Sequence, residues 1–217
     1  MDPIKDIRLD KMLPRVFVNE RIPESGVWES DLTLRRGVHY LIEAASGGGK
    51  SSMCAYIYGS RDDYEGRLFF NGKNVREFTV AEWQEIRRRH IAYLPQELDL
   101  FPELTAWENI QLKNRLTDHV DNSTIEGWLH ELGIAGRRDY PVGRMSIGQQ
   151  QRVAIIRSLC QPFDFILLDE PVSHLDEGNN RIAASMIMRE AERQGASVVS
   201  TSVGNPLALE EAKKLSL

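Results

Sequence analysis

The chain has 217 residues, a formal net charge of −5, and hydrophobic and charged contents of 41% and 27%, which is typical of a globular protein with one sizeable core. No apolar run approaches the ~20 residues that cross a bilayer, and the start of the chain lacks the basic and apolar layout of a secretory signal, so we expect a cytosolic protein. The negative charge argues against general nucleic-acid binding, and the spacing of Cys54 and Cys160 favours neither a disulfide framework nor a zinc site.

The first half of the chain alternates short strands with helices. Apolar or alternating segments predict strands at 15–18, 27–34, 38–42, 67–70 and 91–94. A helix is expected to end at Gly59, and Asn71 with the glycine after it predicts a tight turn. Thr79 and Glu82 have the spacing of a capping box, which predicts a helix that continues through Arg88.

The middle of the chain changes character. The segments 105–108 and 123–126 both have the pattern of a helix start, and no convincing strand lies near them. We therefore expect a helical insert, at approximately 97–145, within a single domain of residues 1–217.

The last part of the chain returns to alternating strands and helices. The pattern predicts a helix at 146–160, an apolar strand at 165–168, a helix at about 178–193 and a last strand at 196–200. Uniformly apolar strands separated by helices indicate a parallel sheet covered on both faces. The expected fold class is α/β, with a parallel sheet core, an N-terminal antiparallel β subdomain and a helical subdomain.

The segment after the strand at 38–42 is typical of a phosphate-binding loop. Its residues are Ala44, Ala45, Ser46, Gly47, Gly48, Gly49, Lys50, Ser51 and Ser52. Successive glycines let the backbone curl so that its N–H groups point at an anion, and the following helix adds its positive N-terminal end. Lys50 would lie over the β- and γ-phosphates, and Ser51 would ligate Mg²⁺. Ala44 stands where the strict pattern has glycine, and a glycine-rich turn before an ordinary helix is the alternative interpretation.

Two carboxylates follow the apolar strand at 165–168. Because ligands bind at the carboxyl ends of parallel strands, Asp169 is expected to hold Mg²⁺ between the β- and γ-phosphates. Glu170 would lie close enough to polarise the attacking water and accept its proton. Taken alone, an Asp-Glu pair at a strand end favours a solvated turn; behind a phosphate loop it favours a hydrolytic site.

Five separated motifs occur in an order that resembles the ATP-binding cassette (ABC) ATPase family, over nearly the whole chain. They are the loop around Lys50, Gln96 within 94–97, the segment 144–152, Asp169-Glu170-Pro171, and the segment 173–176. The resemblance implies the RecA-like fold of the P-loop NTPases and the role of ATP-binding subunit of an ABC transporter.

The resemblance also implies a second half-site. In this family the residues that match Ser146, Gly148 and Gln149 start a helix that faces the γ-phosphate bound by a second subunit, so that two Mg-ATP are enclosed in a head-to-tail homodimer or heterodimer. A serine hydroxyl and free N–H groups at a helix start suit an anion. Gln96 would join Mg²⁺ and the attacking water, and Asp176 would lie at the dimer interface.

The implied membrane partner is a separate transmembrane permease, which would place this chain peripherally on the cytoplasmic face of the inner or plasma membrane. The segment 98–104 and Trp107 match the region that receives the permease's coupling helix. Ordinary hydrophobic packing of the insert is the alternative interpretation of these residues, and the sequence does not decide between the two.

Three departures from the family pattern bear on activity. Ile147 stands where the signature motif of the family, matched here by residues 146–149, has glycine. Its β-branched side chain adds bulk beside a backbone that approaches phosphate. Ser202 stands where the family pattern has a histidine, called the switch histidine, that contacts the γ-phosphate and helps to hold the attacking water. The position that stacks on adenine falls near 22–23, without an aromatic residue, although Phe17 or Trp28 could substitute. We therefore expect hydrolysis that is slower than the family norm.

Other function classes stay open at this point. A nucleotide-gated mechanical or regulatory module, in which ATP changes the shape of a membrane partner without moving a substrate, fits the altered signature and the absent histidine. A soluble member that serves translation or DNA repair fits less well, because those proteins pair two cassettes in one chain or split the cassette with a long coiled coil.

Overall fold

The computed structural model describes residues 1–19 and 25–217, which form two sheets. The antiparallel sheet has the order β2-β1-β4-β5, formed by β1 (Asp6–Pro14), β2 (Asp31–Arg35), β4 (Tyr64–Phe70) and β5 (Lys73–Asn74). The parallel sheet has the order β6-β7-β8-β3-β9, formed by β3 (His39–Glu43), β6 (Ile91–Leu94), β7 (Phe165–Asp169), β8 (Ser197–Ser202) and β9 (Ala212–Ser216). The predicted combination of a parallel core and an antiparallel N-terminal sheet is confirmed.

Six α-helices lie in the described residues. They are α1 (Lys50–Tyr58), α2 (Val80–Arg89), α3 (Ala106–Asn114), α4 (Asn122–Glu131), α5 (Ile147–Leu159) and α6 (Glu177–Gln194). Within the described part of the chain, none of the helices has the length and apolar character needed to cross a membrane.

Strand β7 is buried along its whole length because helices cover both faces of the parallel sheet. Phe165 and Leu167 pack on one face with residues of α1 and α2. Ile166 and Leu168 point to the other face and pack with residues of α3 to α6. This alternation explains why the strand is apolar at every position rather than at every second one.

The register of the parallel sheet brings three strand ends to one edge. Glu43 of β3 pairs with Ser202 of β8, and Asp169 of β7 pairs with Thr201 of β8. The loops that follow β3, β7 and β8 therefore start beside one another, which is the place where a ligand binds in a parallel α/β sheet.

The predicted strand at 15–18 is wrong. Strand β1 ends at Pro14, and Arg15–Phe17 forms a 3-10 turn in which the Arg15 N–H donates to the Asp63 carbonyl. The predicted strand at 27–34 is shorter than expected, because Glu29 adopts a φ of +54° and β2 begins only at Asp31.

Two further predictions need correction. The helix start predicted at 123–126 begins earlier, because Asp121 is the cap and its Oδ1 accepts from the Thr124 N–H at 2.8 Å. The strand at 196–200 is not the last, because β9 adds an edge strand beside β3. The capping boxes at Thr79 and Thr105 are confirmed.

Candidate functional site

The loop between β3 and α1 adopts a conformation that needs its glycines. Gly47 and Gly49 have φ values of +83° and +92°, a region that side chains disfavour. The backbone of Ala44 stays outside the positive-φ region, so alanine there causes no strain. Helix α1 starts at Lys50, and its free N–H groups and positive end face the loop. The arrangement suits an anion.

Lys50 is held over this loop. Its side chain is 5% exposed, and Nζ donates to the carbonyls of Ala44 at 3.3 Å and Ala45 at 3.0 Å. The same Nζ lies 3.8 Å from Glu170 Oε1. The structure therefore brings together the lysine of the predicted phosphate loop and the predicted base, which are separated by 120 positions in sequence.

Thr201, which the sequence analysis missed, holds the Asp169 carboxylate and the Glu170 backbone at the end of β7. Asp169 is fully buried, and its Oδ1 accepts from Thr201 Oγ1 at 2.6 Å. Glu170 has a φ of +51°, and its N–H donates to the same Thr201 hydroxyl at 3.2 Å. A hydroxyl at the end of a strand next to the carboxylate strand is the signal that could have revealed this bridge.

Ser51 and Gln96 meet at the mouth of the same cavity, where Ser51 Oγ lies 3.5 Å from Gln96 Oε1. The cavity has a volume of about 280 Å³. Its lining includes Ser46, Gly47, Gly49, Lys50, Ser51, Ser52, Gln96 and Glu170. Seven of the residues expected to contact the phosphates and Mg²⁺, and the expected base, therefore share one opening.

The oxygen donors at and next to this opening fit Mg²⁺, which prefers hydroxyl, amide and carboxylate oxygens and phosphate oxygens. Ser51 and Gln96 line the cavity and supply the first two, and the buried Asp169, the residue before Glu170, supplies the carboxylate without lining the cavity. Asp169 Oδ2 is buried without a hydrogen-bond partner among the described residues, as expected of an oxygen intended for a ligand. No group of three or more His, Cys, Asp or Glu in 1–19 and 25–217 could hold a metal by itself.

Ser202 lies at the end of β8, beside the end of β3. It is 2% exposed, and its Oγ has no hydrogen-bond partner within the described part of the chain. Its short side chain does not line the cavity that Lys50 and Glu170 share. The structure therefore places Ser202 at the edge of the site without a direct contact into it.

Two aromatic rings lie beneath and beside the loop. The Trp28 indole is 3% exposed and its Nε1–H donates to the Gly48 carbonyl at 2.9 Å, so it is not available to stack on adenine. Phe17 lines the cavity at its rim. The position near 22–23, where the adenine-stacking residue was expected, lies outside the described residues.

The signature residues form the start of α5. Ser146 caps the helix: its Oγ accepts from the Gln149 N–H at 3.3 Å, and Gln149 Oε1 accepts from the Ser146 N–H at 3.0 Å. A Cβ at Gly148 would lie 2.9 Å from the His174 carbonyl oxygen, which explains the glycine there. Ile147 is 49% exposed and projects from the first turn.

Gln151 connects this helix to the carboxylate loop, a role that the sequence analysis did not assign. It is 1% exposed; its Nε2 donates to the Glu170 carbonyl at 3.1 Å and to Ser173 Oγ at 3.2 Å, and its Oε1 accepts from the His174 N–H at 3.0 Å. A displacement of α5 would therefore be transmitted to the backbone of Glu170 through the Gln151 side chain.

Asp176 caps α6, where its Oδ1 accepts from the Asn179 N–H at 2.8 Å. That backbone hydrogen bond is the main reason why the pKa of Asp176 is lowered. Neither Asp176 nor the signature residues at the start of α5 line the cavity that contains Lys50. These residues therefore lie outside the cavity that Lys50 and Glu170 share.

Comparison with known proteins decides the family. A sequence model of the family described as "ABC transporter" matches residues 28–173. The chain belongs to the ABC transporter family. It is 31% identical over 191 residues to the lipoprotein-releasing system ATP-binding protein LolD of Roseobacter denitrificans, and the alignment covers 86% of this chain and 84% of LolD. It is also 31% identical over 209 residues to the ribose import ATP-binding protein RbsA of Caldanaerobacter subterraneus, with 93% of this chain covered and 40% of the length of RbsA.

Solved ABC structures have the same fold. A dimeric bacterial ABC transporter cassette matches with a TM-score of 0.76 at 26% identity, over 90% of this chain and 87% of that chain. A dimeric post-hydrolysis state of an ATP-binding cassette bound to ADP and Pi matches with a TM-score of 0.73 at 25% identity, over 92% and 88% of the two chains. The predicted family and P-loop NTPase fold are confirmed, and the chain is an ATP-binding cassette.

The segment expected to face a permease is partly packed and partly open in this cassette. Leu98 is 4% exposed, and the Arg138 guanidinium lies 3.9 Å from the centroid of the Trp107 ring, so packing accounts for both. Phe101 and Leu112 are 53% and 45% exposed and border a groove of about 230 Å³. This groove, defined by Tyr58, Tyr93, Pro95, Asp99, Phe101, Leu112, Lys113, Arg157 and Ser158, is called the lateral groove below.

Proposed function

We propose that this ABC cassette binds and hydrolyses Mg-ATP and closes head to tail with a second ABC ATPase subunit, identical or different, around two nucleotides. The observation that carries the proposal is the 3.8 Å separation of Lys50 Nζ and Glu170 Oε1 at one cavity. This proximity supports a shared role for the two groups, with Lys50 binding and Glu170 acting at the same terminal phosphate.

Each residue at the cavity has a role that follows from its position. Lys50 leaves the Ala44 and Ala45 carbonyls to bind the β- and γ-phosphates, for which a full negative charge is a stronger partner. Glu170 accepts the proton of the attacking water. Ser51, Gln96 and Asp169 would hold Mg²⁺, which neutralises the charge between the phosphates when it is bound.

The second half of each site comes from the other subunit. The start of α5 presents Ser146, Gly148 and Gln149, and the free N–H groups of a helix N-terminus favour a γ-phosphate. Asp176 lies at the same dimer interface in this proposal. ATP then favours the closed dimer, because only there does each γ-phosphate gain contacts from both chains.

The membrane partner is a separate permease that docks at the lateral groove, where Phe101 and Leu112 expose apolar surface. We place the cassette peripherally on the cytoplasmic face of the inner or plasma membrane, the side where ATP is available. Residues 1–217 act as one ABC ATPase domain, and the segment at approximately 97–145 is its helical subdomain, which contains α3 and α4.

Calorimetry tests the proposal. Titration of the chain with Mg-ATP is expected to give saturable heat, and Lys50→Ala is expected to lose most of it. Lys213→Ala, which removes an exposed lysine of β9, is the matched control and should bind like the parent. Absence of binding heat in the parent, or equal binding by Lys50→Ala, would contradict the proposal.

A second candidate function is a nucleotide-gated module that changes the shape of a membrane partner with slow hydrolysis and no transport. It is favoured by Ser202, whose buried hydroxyl does not reach the cavity, and by Ile147 in the signature. Substrate flux in vesicles that contain the partner separates the two: flux driven by ATP supports the transporter, and shape change without flux supports the module.

A further inference from the structure

Trp28 is attached to the phosphate loop by a single directed contact. Its Nε1–H donates to the Gly48 carbonyl at 2.9 Å, and a Cβ at Gly49 would lie 3.0 Å from its Cζ2. The backbone and the ring of Trp28 both have further partners: the backbone N–H donates to Ser25 Oγ at 2.8 Å, and the ring packs edge-on against Tyr56 at 6.5 Å between centroids.

The contact sets the direction of a neighbouring N–H. The Gly48–Gly49 peptide is trans, as are all the peptide bonds of the described residues, so its C=O and N–H point in opposite directions. Since the Gly48 carbonyl faces the indole, the Gly49 N–H faces away from it. Gly49 lines the cavity, and no protein group in the described residues accepts a hydrogen bond from its N–H.

Without such a restraint this peptide would be easy to turn. It lies between glycines, and glycine enters positive and negative φ with similar ease. A rotation of the Gly48–Gly49 unit would replace an N–H donor at the cavity with a carbonyl oxygen, which repels phosphate. A buried donor fixed by its own packing, here 3% exposed, favours one of the two orientations.

We propose that Trp28 is a positioning residue for phosphate binding: its indole N–H holds the Gly48–Gly49 peptide so that the Gly49 N–H is directed at the phosphates of ATP. The inference rests on the proposed ATP binding but concerns a residue that does not touch the nucleotide. It predicts that the N–H of the indole matters separately from the ring.

The test is Trp28→Phe, which keeps an aromatic ring and removes the donor. We expect the KM for ATP to rise about 3- to 10-fold, the range of one net hydrogen bond, with kcat within about twofold of the parent because the contact acts equally in the ground and transition states. Trp83→Phe is the matched control: Trp83 packs against Phe70 and Phe78, away from the loop, and should leave KM unchanged.

A second variant separates the donor from packing. Replacing Trp28 with β-(3-benzothienyl)alanine keeps the two-ring shape and substitutes sulfur for N–H, and it should raise KM as Trp28→Phe does. A merely structural role would lower the maximal rate with the folded fraction and leave KM as in the parent. Parental KM in both variants overturns this inference alone, whereas absence of ATP binding in the parent overturns the proposed function and this inference with it.

Discussion

Thr201 Oγ1 donates a 2.6 Å hydrogen bond to Asp169 Oδ1, and this bond joins the carboxyl ends of two neighbouring strands. Because Oδ1 is occupied, Oδ2 is the oxygen that would bind the proposed metal. The same hydroxyl accepts from the Glu170 backbone N–H, so one side chain holds the Asp169 carboxylate and the backbone from which the Glu170 side chain projects.

Thr201→Val is therefore expected to lower kcat about tenfold or more, within the range of a lost positioning contact. It should also lower the free energy of unfolding by about 1–3 kcal/mol, because a buried carboxylate oxygen and a backbone N–H lose their partner. Steady-state kinetics and urea unfolding measure the two effects. Thr201→Ser retains the hydroxyl and is the control; a Val variant as active as the Ser variant would contradict the bridging role.

Glu170→Gln should retain ATP but stall turnover, because an amide cannot accept the proton of the attacking water. A loss of about 10²–10⁴ in kcat is expected for a general base, together with accumulation of a nucleotide-bound dimer in sedimentation. Glu65→Gln, at an exposed residue of β4, is the control. Hydrolysis at the parental rate by Glu170→Gln would show that Glu170 is not the base.

Ser202→His should raise turnover, because an imidazole reaches further than a hydroxyl that is buried without a partner. A restored transition-state contact is worth about 10²–10³ in rate. Since Ser202 is 2% exposed, the larger side chain could overpack its surroundings. The thermal midpoint of unfolding is therefore measured together with the kinetics. Ser202→Gln is the control for length; no gain with His in a folded variant would remove Ser202 as the cause of slow hydrolysis.

Ile147→Gly should tighten ATP-driven dimerisation, because the 49% exposed side chain projects from the helix start that is proposed to face the opposite nucleotide. Sedimentation with Mg-ATP measures the effect. Val80→Gly is a matched control, because Val80 is also the first residue of a helix with a capping box and is 76% exposed. Unchanged dimerisation in Ile147→Gly would dismiss the steric argument.

Lys113 gives a prediction for stability against pH. Burial in the lateral groove, and then the charge of Arg157, lower its pKa to about 8. Above this value the unfolded chain binds more protons than the folded one, so the cost of the buried charge is present in full below pH 8 and is relieved as pH rises.

Relative to Lys113→Met, the parent should gain about 2 kcal/mol in the free energy of unfolding between pH 7 and 9.5, an upper figure because the groove is open to water. Urea unfolding at both pH values measures the difference. Because the nearby Tyr58 and Asp99 are present in both proteins, their own contributions to the pH dependence of stability cancel in this comparison. Parallel pH profiles for the two proteins would show that Lys113 titrates normally.

The sequence determined the parts of the fold that depend on neighbouring residues. The apolar run at β7 and the capping boxes at Thr79 and Thr105 were predicted because periodicity and cap spacing act within a few residues. The family was recognisable for the same reason, since each motif is short and their order is fixed along the chain. The roles of the individual site residues stay predictions.

The tertiary structure decided what depends on contacts between distant residues. Trp28 and Gly48 are 20 positions apart, and Glu170 and Thr201 are 31 apart. Nothing local in the sequence therefore reveals that a ring contacts the phosphate loop, or that one hydroxyl bonds both the Asp169 carboxylate and the Glu170 backbone. The 3-10 turn after Pro14 and the edge strand β9 also depend on partners far along the chain. Spacing in a sequence specifies local geometry, whereas sheet register and packing specify which side chains meet.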